Sequence, residues 1–320
     1  MDKPHDSLPG RLRAHAWALL WILLCLASHG EAGARQVTLV LSGQDAPYLE
    51  AAAVIRRGLE ESGARFMVRT LKLEDARSQS FSADSILIPL GVLATEAVAD
   101  LRDGPPVLAA MLPRQSYEKI LREMVPAQRQ RQFSALYLDQ PYSRQLQLLA
   151  TALPGAERVG VVLGRDMQRV RAELIAAAAE TGLQLTVDPL AARTVLFRSL
   201  EDVLAKSDVL LLLPDSAVVN RTTLPSLLLT AYRRQLPVIG YSSALVEAGA
   251  LLAVYSSPAQ IGSQIAEMLR RMPPGGVQLP PPQSPRYYTV RVNRNVARSL
   301  ELAIPADPLL YAALQSETQP

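Results

Sequence analysis

The sequence predicts an α/β protein of two successive doubly wound units, each a parallel sheet with helices on both faces. Three features predict it. From Arg35 onward, short β-branched or leucine-rich runs alternate with amphipathic segments, which is the pattern of βαβ units. Runs such as Val209 to Leu213 (VLLLL) are apolar at every position, as strands covered on both faces require. The rhythm stops at the polar stretch Gln128 to Gln132 and restarts at Arg158, so two units are expected, joined near Phe133 to Tyr142.

In chain order, Gln36 to Leu41 reads as a strand ending at Ser42-Gly43. Tyr48 to Ser62 then spaces Ala51, Ala52, Ile55 and Leu59 along one helical face, with Gly63 as a C-terminal stop. Strands follow at Phe66 to Leu71, Ser85 to Leu90 and Pro106 to Met111, with helices at Ala94 to Leu101 and Tyr117 to Met124. The second unit opens with a strand at Arg158 to Leu163 and an alanine-rich helix at Met167 to Thr181. Its further strands are Leu183 to Val187, Val209 to Leu213, Pro237 to Ile239 and Leu251 to Val254. Helices fall around Leu200 to Lys206, Thr222 to Gln235 and Ala259 to Arg271. Met272 to Pro282 is too rich in Pro and Gly for either element and reads as an extended linker. Tyr287 to Val292 alternates like an edge strand, Val296 to Leu302 reads as a short helix, and 306–320 is expected to be a mobile tail.

Residues 1–34 have the parts of a secretory leader. Lys3, Arg11 and Arg13 make it basic, Ala16 to Ala27 is an apolar run of twelve residues, and Ala32-Gly33-Ala34 is a small-x-small cleavage signal. Twelve residues fall short of the roughly 17–25 that span a bilayer. Cys25 follows Ile22-Leu23-Leu24, without the small residue that lipid attachment prefers just before the cysteine. Cleavage near Ala34 is therefore expected, with a periplasmic product. The leader holds all three histidines (His5, His15, His29), the sole cysteine and both tryptophans (Trp17, Trp21). The remaining 286 residues keep the net charge of +3, because the leader carries three basic and three acidic residues.

That composition excludes much chemistry. Without His or Cys, the mature chain has no Ser-His-Asp triad, no Cys-His pair and none of the usual zinc sites. No GxGxxG or GxxxxGK[ST] occurs. Neighbouring carboxylates such as Glu60/Glu61 and Glu74/Asp75 lie on surface-like segments. The basic patches are isolated and lack interleaved aromatics, so nucleic acid binding is not expected. Binding is left as the expected activity, with no catalysis, no cofactor and no metal. Open parallel sheets bind ligands outside the carboxyl ends of their strands. The candidate positions are therefore Ser42 to Gln44, Gly91, Met111, Gly164, Leu213 to Ser216, Gly240 to Ser242, and Tyr255 with Ser256. These offer hydroxyls, tyrosines and one carboxylate, Asp215, with no nucleophile–base pair. Turn residues also gather at strand ends for purely structural reasons.

Three stretches carry a family resemblance. Leu213 to Asn220 (LPDSAVVN) resembles a strand-end loop commonly written Pro-Thr-Asp-Asn. Leu236 to Ser243 (LPVIGYSS) resembles an "IPV, small residue, Ser" strand, and Val246 to Gly262 resembles a "GAL…y…lG" segment. From about Phe133 to Pro305 the chain is similar to the substrate-binding proteins of ABC transporters with a type 1 periplasmic-binding fold, some of which bind aromatic amino acids. The resemblance implies two lobes, a hinge and a ligand cleft between them. Lobe 1 would comprise 35–138 plus 258–305, and lobe 2 would comprise 139–257. Carried over by position, Asp215, Ser216, Tyr241, Ser242 and Tyr255 would face the cleft from lobe 2, with Ser42, Gln44, Gly91 and Ala94 opposite. The chain has Ser242-Ser243 where members often have Ser-Asp, so the likeness implies the clamp without implying an amino-acid ligand. It implies a monomer that closes on a small polar molecule and delivers it to an ABC permease. The competing expectation is an exported sensor or accessory module that regulates a receptor kinase, a cyclase or a TonB-dependent system.

Overall fold

Strand pairing sorts the chain into two sheets with the same winding. The computed structural model describes residues 34–315 except 62, 64, 127, 191–195 and 274–275, so the leader read over residues 1–34 lies outside the described residues apart from Ala34. The first sheet contains β1 (Arg35–Leu41), β2 (Phe66–Lys72), β3 (Ile86–Leu90), β4 (Val107–Ala110) and β5 (Phe133–Leu136). Its order is β2-β1-β3-β4-β5, parallel throughout. The connecting helices are α1 (Ala46–Glu60), α2 (Leu73–Ala76), α3 (Val92–Ala99) and α4 (Arg114–Glu123). Every residue of β3 and β4 is buried, which explains why those segments are apolar without alternation. The edge strand β2 has no fully buried residue and mixes half-buried with exposed positions.

The second sheet contains β6 (Arg158–Leu163), β7 (Gln184–Pro189), β8 (Val209–Leu211), β9 (Val238–Gly240), β10 (Leu252–Tyr255) and β11 (Thr289–Val292). Its order is β11-β10-β9-β8-β6-β7, and only β11 runs antiparallel to its neighbour. With β11 set aside, both sheets place their first strand between the second and third, the doubly wound order. The helices of this half are α5 (Tyr142–Ala152), α6 (Arg171–Glu180), α7 (Leu196–Leu204), α8 (Leu224–Arg233), α9 (Ser243–Ala248), α10 (Pro258–Arg270), α11 (Arg294–Ser299) and α12 (Asp307–Gln315).

Helix α10 leaves the second sheet and returns to the first. Its start is fixed by a capping box: Ser257 Oγ accepts from Gln260 N while the Gln260 side chain accepts from Ser257 N. Ile261, Ile265, Ala266 and Leu269 then join the core built on β1 and β3. The helix lies directly against α1, because a side chain at Gly262 would sit 2.8 Å from the Ala51 carbonyl oxygen.

Two expectations change here. The stretch 258–305 is divided between the sheets rather than belonging wholly to lobe 1: Pro258 to Gln283 stays with the first, whereas β11 pairs with β10 in the second. Nor is the region after Pro305 wholly a mobile tail. Helix α12 packs on α5 and buries Leu310 and Leu314 completely, while residues 316–320 lie outside the described ones. Helices α2, α5 and α9 and strand β5 are elements that the sequence pattern did not predict.

Candidate functional site

The chain passes between the two sheets three times: after β5, after β10, and after the proline-rich linker. The linker lies beside β5, with Gln283 N donating to Ala135 O and Tyr137 N donating to Gln283 O. Polar side chains knit the three crossings together. Gln140 Nε2 in the first donates to Ser256 Oγ in the second at 2.8 Å, and Ser256 Oγ donates to the carbonyl of Tyr287 in the third at 2.5 Å. Arg144, on the first turn of α5, donates to Gln140 Oε1 at 2.6 Å and to the Pro285 carbonyl at 2.8 Å. Its guanidinium also lies 4.5 Å from the centre of the Tyr288 ring, which stacks in turn on Tyr311. All of these donors and acceptors are buried or nearly so, where an unmade hydrogen bond is costly.

On one side of this joint a cleft of about 560 Å³ opens between the sheets. The first half contributes Pro47 and Glu50 from α1, and Met111 and Pro113 from the end of β4. The crossing supplies Leu138, Asp139 and Gln140, and α5 supplies Gln145. The second half contributes Pro214, Ser216 and Val219 after β8, Tyr241 to Ser243 after β9, and Val254 to Pro258 around the end of β10. Met111 adopts a left-handed backbone with φ 58°, a conformation that costs about 1–2 kcal/mol for a residue with a Cβ.

The residues singled out from the sequence divide cleanly. Ser216, Tyr241, Ser242 and Tyr255 line the cleft, as does the strand-end residue Met111. Ser42, Gly91 and Ala94 do not, and the reason is local packing. The crevice between the ends of β1 and β3 is sealed by Ser42, whose Oγ accepts from Ala94 N at 2.9 Å. Gly91 has no side chain with which to cap α3, so Ser42 caps it from the neighbouring strand. Gly91 itself has φ 98°, and a Cβ there would meet Ser42 Oγ at 2.5 Å and the Tyr48 ring at 2.8 Å. Gly91→Ala is expected to destabilise the protein by roughly 2–5 kcal/mol, read as a lower urea midpoint at unchanged slope. Gln44 is exposed and stands outside the cleft lining.

Asp215 is likewise turned away from the cleft. It is 4% exposed, and its carboxylate accepts from Gly164 N at 2.6 Å and from Ala217 N at 2.9 Å. It closes the crevice between β6 and β8 as Ser42 closes its counterpart in the first sheet. In both halves the place where strand order reverses, the expected ligand position in a single open sheet, is filled by a side chain. The open space lies instead beside the ends of β4, β5, β8, β9 and β10.

Sequence reasoning missed Asp139, Gln140 and Gln145. They belong to the join between the two units, where no strand end drew notice to them. Asp139 accepts from Arg114 N at the start of α4. Burial nevertheless pushes its carboxyl up to about 6, against the lowering effect of that backbone hydrogen bond and of the Arg114 charge. Burial also raises Tyr241, with the charges of Asp139 and Asp215 adding to it, so the phenol stays protonated at neutral pH. Gln145 is 2% exposed; its Nε2 donates to Gln140 O, and its Oε1 has no partner among the described residues. Ion pairs link the two halves around a neighbouring pocket that shares Asp139, Gln140 and Pro214 with the cleft. Arg114 on α4 reaches Glu118 at 2.8 Å and Glu173 on α6 at 3.0 Å, and Arg169 reaches Glu118 at 3.0 Å. Among the described residues no cluster of three or more His, Cys, Asp or Glu is arranged to hold a metal.

Comparison with solved structures finds the same architecture at low identity. A ligand-free, open substrate-binding protein with adhesive properties from Clostridium difficile is 15% identical, with a TM-score of 0.63 over 85% of this chain and 97% of that one. A conserved domain protein from Vibrio cholerae is 18% identical, with a TM-score of 0.59 over 87% and 97%. An ABC domain from Streptococcus pneumoniae in complex with L-Trp is 15% identical, with a TM-score of 0.58 over 87% and 98%. At such identities the likeness is one of fold, the type 1 periplasmic-binding architecture. No curated protein sequence matches significantly. The family model described as "ABC transporter substrate binding protein" matches residues 139–315. That span covers more than half of the sequence, from the first crossing to the last helix, and the chain belongs to this ABC transporter substrate-binding family.

Proposed function

We propose that this protein is a periplasmic solute-binding protein whose two lobes close on a small molecule and deliver it to an ABC permease. The observation that carries the reading is the cleft of about 560 Å³, whose walls come from both halves of the chain. A ligand that touches both walls binds the closed arrangement better than the open one, and that difference drives closure. Ser216, Tyr241, Ser242 and Tyr255 are the second lobe's proposed contacts; Met111, Pro47 and Glu50 are those of the first. Lobe 1 is proposed as 35–138 with Pro258 to Gln283, and lobe 2 as 139–257 with Thr289 to Gln315. Family membership supports a permease as recipient, and the leader-like residues 1–34 support export.

The test is a thermal-shift screen of the exported protein against amino acids, amines, nucleobases, sugars and cofactor fragments, followed by small-angle scattering on any hit. A ligand at about a hundredfold its dissociation constant adds roughly 2.7 kcal/mol, on the order of 5–10 °C for a chain of this size. The radius of gyration should fall as the lobes close. If no chemical class moves the midpoint, the solute-binding reading is wrong. If a ligand binds but the loaded protein never stimulates ATP hydrolysis by its permease in proteoliposomes, delivery is wrong and sensing takes its place.

A further inference from the structure

We propose that the ligand is an organic cation: an ammonium or related group on an apolar body, without a carboxylate. The inference rests on the reading of the cleft as the ligand site and names the substrate class of that site. Among the described residues that line the cleft, the charged ones are Glu50 and Asp139, and none is Lys, Arg or His. The arginines of the adjoining pocket and of α5 are committed to other partners. Arg114 is held by Glu118 and Glu173, Arg169 by Glu118, and Arg144 by Gln140, the Pro285 carbonyl and the Tyr288 ring.

An anion entering this space meets two carboxylates and no cation to balance its lost hydration, which is unfavourable at low effective dielectric. A cation gains from the same field. It also meets Tyr241 and Tyr255, whose rings attract positive charge when it lies over their faces. The rest of the wall includes Met111, Leu138, Val219 and Val254, which suit a hydrocarbon portion. A sugar offers hydroxyls to be paired, yet the Gln140 amide is already engaged with Ser256 and Arg144, and of the Gln145 amide only Oε1, an acceptor equally suited to an ammonium N–H, has no partner among the described residues.

Asp139 is the residue that would face the ammonium group, and its elevated pKa gives the binding a pH dependence. The groups that act on it are Arg114 and Glu118 from α4, Tyr137 on its own crossing, Tyr142 from α5 and Tyr241 after β9. With its carboxyl at about 6, a cation that needs the ionised form should bind about tenfold more weakly at pH 5 than at pH 7.5.

The experiment is calorimetric titration of the exported full chain with a matched series: 2-phenylethylamine, neutral 3-phenylpropanol, anionic 3-phenylpropionate, L-phenylalanine and D-glucose. The amine is expected to bind at least tenfold more tightly than the alcohol, with propionate and glucose silent. Asp139→Asn keeps an acceptor for Arg114 N and should weaken the amine at least tenfold, removing most of its advantage over the alcohol. Glu50→Gln, at an exposed position of α1, is a second variant and should weaken the amine by a smaller factor. Equal or tighter binding of propionate, L-phenylalanine or glucose overturns the cation preference while leaving the clamp intact. An amine that fails to bind also overturns it. The clamp reading itself falls only if the broader library leaves the protein unshifted as well.

Discussion

Arg144→Ala is expected to be among the most destabilising single substitutions in this protein, lowering stability by on the order of 3–5 kcal/mol and the melting temperature by roughly 10 °C. The side chain is 9% exposed and serves three partners at once: Gln140 Oε1, the Pro285 carbonyl and the face of Tyr288. Alanine leaves two buried acceptors without a charged donor, each costing about 1–3 kcal/mol, and removes a desolvated cation–π contact. Because the partners sit on two different crossings, the loss should also loosen the joint between the lobes. Urea denaturation followed by far-ultraviolet circular dichroism measures the first effect, and scattering of the unliganded protein measures the second. Arg144→Lys should rescue little, since an ammonium cannot reproduce a planar donor stacked on a ring. A melting temperature within about 2 °C of the parent would show that the crossings do not depend on this residue.

Asp215→Ala is the second large effect, a loss of roughly 2–4 kcal/mol. The change strips the acceptor from two backbone N–H groups, Gly164 and Ala217, in a buried crevice. Asp215→Asn retains one acceptor oxygen and should recover about half of that loss. Its second outcome separates structure from recognition. The carboxylate faces backbone rather than the cleft, so ligand affinity in the asparagine variant should stay within about threefold of the parent. A selective loss of binding with unchanged stability would return Asp215 to the list of direct contacts.

The contrast between Asp215 and Asp139 shows where the sequence could be read and where it could not. Both are acidic residues close to the carboxyl end of a strand. Asp215 follows the apolar run of β8, an unmistakable strand, and for that reason drew a functional reading. Asp139 follows β5, four residues with one polar serine, which merged into the join between the units. The chain's local pattern says where a strand stops but not whether the space beyond it is open. At the ends of β1 and β6 that space is filled by Ser42 Oγ and the Asp215 carboxylate, through hydrogen bonds to residues about fifty positions away. Tyr241, Ser242 and Tyr255 came through because β9 and β10 end beside the opposite lobe.

The sequence by itself determined the fold class, the two-unit organisation and the strand positions apart from β5, because burial on both faces leaves a mark in successive residues of the central strands. It also determined that no histidine or cysteine follows residue 29. The tertiary structure decided which sheet β11 joins, how Arg144 ties the crossings, and which of the strand-end residues border open space. Those outcomes depend on hydrogen bonds and packing between segments remote in the chain, and the spacing of neighbouring residues carries no record of them.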